Sequence, residues 1–533
     1  MNEVRPEAPD FPSRRLAWST AVFSAATGIS RVLGLAREIV ARSYFGVEGA
    51  GINAFTVAFQ VPNLIRALVA DAALSSAFVP VFTELLEKGE RARAWRVASS
   101  LLWILLLGLT AITAIFVLIA PWVMALFGYG GDENDLAVTL ARILFPIVIL
   151  LGLSGVIVGI LNSYEHFSVP ALTPVAWNLV IIAGLVIGVP RADSADAELY
   201  VYAGSIVIAT FVQLLLPLPW LAGLDGRLRV AIDWRDPAVK RVFVLMLPVT
   251  LGLGLINFTA VIGTFFAARY IDPNLSPSAI DAAFRIYMLP QGMFSVAVAT
   301  VLFPALSRFA ARADFDGFRH TLGSGLRQIG FLLIPASVVS AVLAEPIVRL
   351  IYERGEFGPS ATRVVAAALA AFSLGLAFNG ATLMLNRAFF GLQSPWTPTG
   401  VAFATLVLNT ALFGVFYRLG TWGIPLAISV ANIAGTVALI VLLRQRLGSI
   451  ELRQTVSSTL RITVASALLG GVAYGVWWAL DDVLGRAFFA QLLSLGTALV
   501  AGGAAYLFFA RLLGVRELNA LLSLRARRAR QAE

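Results

Sequence analysis

The sequence predicts an all-α polytopic membrane protein with about fourteen transmembrane helices. They are expected to form two six-helix lobes related by a parallel repeat around a central cavity, plus two C-terminal helices. Three observations predict this. Hydrophobic residues make up 59% of the 533 and charged residues only 13%, against about 25% charged in a soluble domain; mean hydropathy is +0.83. Apolar stretches of about 20 residues, each long enough to cross a bilayer, recur along the whole chain. Two separate segments also repeat at one fixed spacing.

From the N-terminus, residues 1–13 are polar, carry Pro6, Pro9 and Pro12, and are expected to be disordered. "SRRLAWSTAVFSAATG" (13–28) has the basic start and apolar run of a signal peptide. The pattern continues past Gly28 without an A-x-A site, so Arg14 and Arg15 read as a cytoplasmic anchor. The spans centre near residues 30, 65, 110, 150, 180, 210, 255, 295, 335, 375, 405, 430, 470 and 500. The third, "SLLWILLLGLTAITAIFVLIAPWV" (100–123), is apolar all round. The first, second and eighth are longer and more polar, and are expected to line something wet.

Orientation follows from the distribution of Arg and Lys. Loops after even spans are basic: "EKGERARAWR" (87–96), "GRLRVAIDWRDPAVKR" (226–241), "RFAARADFDGFR" (308–319) and "RQRLGSIELR" (444–453). Loops after odd spans are acidic or neutral, as in "GGDENDL" (130–136) and "RADSADAE" (191–198). Both termini are therefore expected in the cytoplasm. The tail "RARRAR" (525–530) reads as an anchor to anionic membrane lipids rather than a nucleic-acid patch.

"FVPVFTELLEKGE" (78–90) resembles "LFPALSRFAARAD" (302–314), and "LNSYEHFSVPALTP" (161–174) resembles "LNRAFFGLQSPWTP" (385–398). Pro80 matches Pro304 and Asn162 matches Asn386 at one offset. That period holds six spans, and an even number keeps the copies parallel. The expected organisation is a cytoplasmic tail (1–16), an N-terminal lobe of spans 1–6 (17–224) and a C-terminal lobe of spans 7–12 (225–448). Spans 13–14 (449–514) follow, then a basic cytoplasmic tail (515–533). Two lobes around a central site is a transporter plan; a scaffold or subunit of a larger complex is the bland alternative.

Composition excludes several chemistries. The chain has no cysteine, two histidines (His166 and His320) and two lysines (Lys88 and Lys240), neither lysine in a phosphate-binding G-K-[ST]. Catalytic triads, metal-ligand spacings and dinucleotide fingerprints are absent from the sequence, so no cofactor and no enzymatic activity are expected.

The informative residues are charges inside spans: Arg31, Arg37, Glu38 and Arg42 in span 1, Arg66 and Asp71 in span 2, Arg285 in span 8. Arg31, Glu38 and Arg42 fall on one helical stripe, with Arg37 about 120° away, so a bend at Gly28 or Gly34 or a wide cavity is needed to gather both arginines. Pro62 and Asn63, just before Arg66, are expected to break the second span locally. Arg31, Arg37, Arg66 and Arg285 would together cost roughly 10–14 kcal/mol against lipid. Glu38 and Asp71 offset part of that. Ion pairs such as Arg31–Glu38 and snorkelling are the bland account. The functional account is a wet cavity for an anion, since arginine's planar donor fork suits phosphate. A cation exporter would want carboxylates, and residues 242–270 and 394–442 hold no Asp or Glu.

"SRVLGLARE" (30–38), "PNLIRALVADAALSSAFVPVF" (62–82), "LPQGMFSVAVATVLFPALS" (289–307) and "YERGEF" (352–357) resemble the signatures of the MurJ (MviN) family. These are lipid II flippases of the multidrug/oligosaccharidyl-lipid/polysaccharide exporter superfamily. The resemblance runs in order over about 15–515. It implies a substrate like lipid II, an undecaprenyl pyrophosphate carrying a disaccharide-pentapeptide, moved across the bacterial inner membrane. It implies substrate-binding roles for Arg31, Arg37, Arg66 and Arg285; supporting or gating roles are expected for Glu38, Pro62, Asn63 and Asp71 from their charge and position beside those arginines. It further implies membrane lipids and peptidoglycan synthases as partners. Three positions depart from the family pattern: Asn53 and Met288 replace acidic or amide residues common there, and the region of a sodium site in some members offers Asn409 but no acid. Membrane potential or protons are therefore the expected drive. A flippase for another polyprenyl-linked glycan and a non-transporting envelope scaffold are the alternatives.

Overall fold

The computed structural model describes residues 14–69, 72–448 and 451–518. The N-terminal stretch 1–13, Asp71 and the tail 525–530 lie outside the described residues. Among the described residues 86% are helical and none lies in a strand, as bilayer physics requires of apolar backbone.

The first compact unit comprises Met1–Ala41 and Val57–Asn257. It holds most of α1 (Arg14–Phe45) and α2 (Ala50–Val69), then α3 (Ala72–Glu87), α4 (Arg91–Leu126), α5 (Asp132–Leu144), α6 (Ile147–Ser163), α7 (Ser168–Ala183), α8 (Ala195–Leu215), α9 (Leu218–Leu221) and the start of α10 (Pro237–Phe266). Helix α1 runs continuously through Gly28 and Gly34. Helix α2 is likewise unbroken at Pro62, which corrects the expected local break. In apolar surroundings, interrupting the helix would strand more carbonyls than the one that proline already leaves without a donor. Helix α7 handles the same problem visibly: Pro174 cannot donate to Pro170 O, and Thr173 Oγ1 donates there instead at 2.9 Å.

The acidic loops seen in the sequence become helix starts. Asp132, Glu133 and Asp135 occupy the first turn of α5, and Ser194 Oγ caps α8 by accepting from Ala197 N at 3.2 Å. Both arrangements suit the positive end of the helix dipole.

The basic segment before α10 lies along α4. Arg229 N and Asp233 N donate to Ser99 Oγ and Ser100 Oγ, each at 3.1 Å, and Trp103 Nε1 donates to Arg229 O at 3.1 Å. Ion pairs flank it: Arg93 with Asp236 at 3.2 Å, Arg91 with Asp225 at 3.0 Å and Arg241 with Glu84 at 2.7 Å. The Arg93 hydrogen bond is the main cause holding the Asp236 carboxyl below its ordinary range. Tyr164 donates to Asp225 and holds that carboxyl low, while burial, then this bond, pushes the phenol up to about 12.

The second unit comprises Arg42–Thr56 and Phe258–Glu533. Beyond α10 it contains α11 (Ser276–Pro290), α12 (Val296–Ala311), α13 (Phe315–Val342), α14 (Ala344–Tyr352), α15 (Pro359–Ser373), α16 (Leu376–Gly391), α17 (Trp396–Phe416), α18 (Gly423–Leu447), α19 (Leu452–Leu484) and α20 (Phe488–Leu512). Helices α15 and α16 meet at a 43° bend. Ser429 Oγ of α18 reaches the carbonyls of Ala371 and Phe372 there, at 2.7 and 3.1 Å. A Cβ on Gly375 would come within 2.8 Å of the Ser429 backbone, so only glycine permits that approach.

The C-terminal pair α19–α20 is held by charge at two places. Arg327 bonds Glu451 at 3.0 Å and Glu517 at 3.2 Å. Arg349 pairs with Asp481, its guanidinium carbon 5.6 Å from the Trp477 ring centroid. Between them Tyr506 Oη donates to Phe331 O at 2.8 Å, beside buried Ile462, Ala465 and Leu469.

One turn occurs twice. Helix α3 ends at Glu87 with Gly89 in the left-handed region, and α12 ends at Ala311 with Ala313 there (φ 76° and 55°). Gly89 N and Glu90 N bond Leu86 O and Leu85 O; Ala313 N and Asp314 N bond Ala310 O and Phe309 O. Each pair lies 224 positions apart, the offset read from the sequence.

Among the described residues, ten helical stretches are long and apolar enough to cross a membrane, or up to twelve if each bent pair counts as one. Helices α1, α2 and α3 are outside that set, α3 having only 16 residues. Adding them is compatible with the expected fourteen spans.

Candidate functional site

In the first unit, the stretch Ser30–Glu38 sits on α1 beside α7. Arg31 is exposed. Arg37 Nη2 lies 3.5 Å from Glu38 Oε2, with side chains 13% and 8% exposed. The Arg37 guanidinium carbon is 4.8 Å from the Trp177 ring centroid. Asn178 Nδ2 donates to Ser30 O at 3.3 Å, tying α7 to α1. On α2, Arg66 points both Nε and Nη2 at Asn63 Oδ1, at 3.0 and 2.9 Å. Asn63 thus orients Arg66, a local fork that fixes the guanidinium plane.

In the second unit, Arg285 of α11 is 42% exposed and pairs with Asp281 at 3.2 Å, one turn earlier. The other oxygen of Asp281 lies 3.0 Å from Arg42 Nη2. Arg42 is buried and also donates to Ser278 Oγ at 3.0 Å and Gly46 O at 3.3 Å. Ser278 Oγ shares a hydrogen bond with Thr56 Oγ1 at 3.0 Å. Asn53 completes the cluster: its amide donates to Val47 O and Gly49 O, and its oxygen accepts from Ser278 N at 2.9 Å. A carboxylate at position 53 could not supply those two donors.

The structure therefore joins Arg37 to Glu38, Arg66 to Asn63 and Arg285 to Asp281. Three residues were missed by sequence reasoning. Asp281 was omitted from the tally of compensating carboxylates, although its four-residue spacing from Arg285 is a readable ion-pair signal. Trp177 and Asn178 carry no such signal within their apolar span. Among the described residues no group of three or more His, Asp or Glu could hold a metal ion.

Helical spans that are apolar elsewhere but carry paired arginines define a multi-pass membrane protein with charges held inside its helical units. Its fold is similar to that of an inward-facing multidrug resistance MATE family transporter of the MOP superfamily (TM-score 0.68, 17% identity, 81% of this chain and 98% of that one). The chain belongs to the lipid II flippase MurJ family, whose model matches residues 41–495. It is 32% identical over 526 residues to a probable lipid II flippase MurJ of Vibrio cholerae, covering 95% of this chain and 97% of the relative. It is 31% identical over 429 residues to the lipid II flippase MurJ of Burkholderia cenocepacia, covering 79% and 82%. A solved lipid II flippase MurJ in an inward closed conformation has a similar fold, with TM-score 0.76 at 24% identity, over 92% of this chain and 98% of that one.

Proposed function

We propose that this protein flips lipid II from the cytoplasmic to the outer leaflet of the bacterial inner membrane by alternating access. The observation that carries this reading is family membership, with a relative matched over nearly the full length of both chains. Arg31, Arg37, Arg66 and Arg285 are the residues proposed to hold the pyrophosphate. Each guanidinium offers several N–H donors in a plane, and two or three can share the charge of a diphosphate. The polar headgroup then crosses hydrocarbon as a neutralised unit while the polyprenyl tail stays in lipid. No covalent bond changes, so the activity is transport, not catalysis.

Glu38, Asn63 and Asp281 orient Arg37, Arg66 and Arg285 before substrate arrives; Pro62 and Asp71 are assigned supporting or gating roles. The lobes proposed to rock are residues 17–224 and 225–448, with 449–514 appended. Both termini face the cytoplasm in this reading, which accords with the basic loops. Peptidoglycan synthases, which would consume the flipped precursor, are proposed partners. The test is translocation of lipid II in reconstituted vesicles: Arg31→Ala and Arg66→Ala should each abolish most of it, and wild-type rates in both would overturn the assignment.

A further inference from the structure

We infer that Trp177 is a positioning residue for Arg37; this rests on the reading of Arg37 as a ligand of the substrate pyrophosphate. The guanidinium carbon lies 4.8 Å from the ring centroid, within the range of a cation–π attraction. The ring is itself fixed. Trp177 Nε1 donates to Thr210 Oγ1 at 3.1 Å, and Thr210, buried on α8, donates to Ile206 O at 2.7 Å. The next residue, Asn178, bonds Ser30 O. Helix α7 therefore grips α1 at Ser30 and again at Arg37, two turns further on.

A ring suits this place better than a second carboxylate. A carboxylate would occupy the N–H groups of Arg37 and cancel its charge. The ring attracts the cation through its face and takes no N–H donor. Among the described residues Arg37 is accordingly under-bonded: its Nε is buried without a hydrogen-bond partner, and its ion pair with Glu38 is 3.5 Å long. A guanidinium held by an aromatic face, with donors to spare, is ready for phosphate oxygens.

The test uses the full-length protein and measures lipid II affinity together with flipping. Trp177→Leu keeps an apolar side chain but removes the π face, and should weaken lipid II binding on the order of tenfold. Trp177→Phe should retain most of the affinity. In an Arg37→Ala background, Trp177→Leu should cost nothing further. A loss with Trp177→Phe as large as with Trp177→Leu, or the same loss with and without Arg37, would overturn the positioning role. If Arg37→Ala leaves binding unchanged, the reading of Arg37 fails first. If Arg37→Ala weakens binding and Trp177→Leu does not, only the role of Trp177 fails. Should Trp177→Leu not fold, Thr210→Val releases the ring from α8; a severalfold loss that needs Arg37 supports the role, and no change overturns it.

Discussion

Arg42 and Arg285 share one carboxylate, that of Asp281, with Arg42 buried at 3.0 Å and Arg285 half-exposed at 3.2 Å. The sharing makes the two partners unequal. Removing Asp281 takes a carboxylate from both arginines, one of them buried; removing Arg42 leaves Asp281 still paired with Arg285. Asp281→Asn should destabilise by about 1–3 kcal/mol, the range for a lost charge-assisted hydrogen bond, and Arg42→Met by clearly less. Thermal unfolding of the purified protein in detergent checks the order, and an equal loss in both variants would contradict it.

Asn53 gives a second test in the same cluster. Asn53→Asp keeps the acceptor for Ser278 N but faces Val47 O and Gly49 O with oxygens instead of donors. Leaving buried acceptors unsatisfied costs about 1–3 kcal/mol. The unfolding temperature should fall although the substitution is nearly isosteric.

Arg66 tests geometry against charge. An ammonium in its place keeps the charge but not the planar fork that meets Asn63 and, in the proposed function, phosphate. Arg66→Lys should lower flipping roughly tenfold, the value of one charge-assisted hydrogen bond. Asn63→Ala should lower it less, because it removes the orienting acceptor and leaves the guanidinium. Flipping in vesicles with matched protein content measures both.

The segment before α10 should detach from α4 only at extreme pH. Asp225 and Asp236 titrate below the ordinary carboxylate value near 3.8. Their contribution is complete above that value and disappears as pH falls through the lower folded values. Tyr164 titrates above its ordinary 10.0, near 12, so its contribution is complete below pH 10.0 and fades as pH rises through 12. Hydrogen exchange at the amides of Arg229 and Asp233 should show constant protection between those limits, while Asp236→Asn should reduce protection at neutral pH.

Much of this architecture is legible in the sequence because bilayers impose few choices. Length and hydropathy mark the helices, and the 224-residue offset marks a turn whose hydrogen bonds recur at Gly89 and Ala313. The cost of arginine in hydrocarbon singles out Arg31, Arg37, Arg66 and Arg285 without any structure. Pairing is harder to read. Asp281 acts through a neighbour one helical turn away and through Arg42, 239 residues distant in the chain, and only the first link is local. Trp177 looks like any apolar residue of α7 until α1 packs beside it. Pro62 points to a break that does not occur, since in lipid an open helix loses more hydrogen bonds than a distorted one.

Ser429 pins the corner between α15 and α16. To straighten it, the hydroxyl would have to release Ala371 O and Phe372 O into a medium with no water to replace it. The elbow should therefore keep its angle through every step of the transport cycle, so that whatever flexes as cargo passes must flex somewhere else.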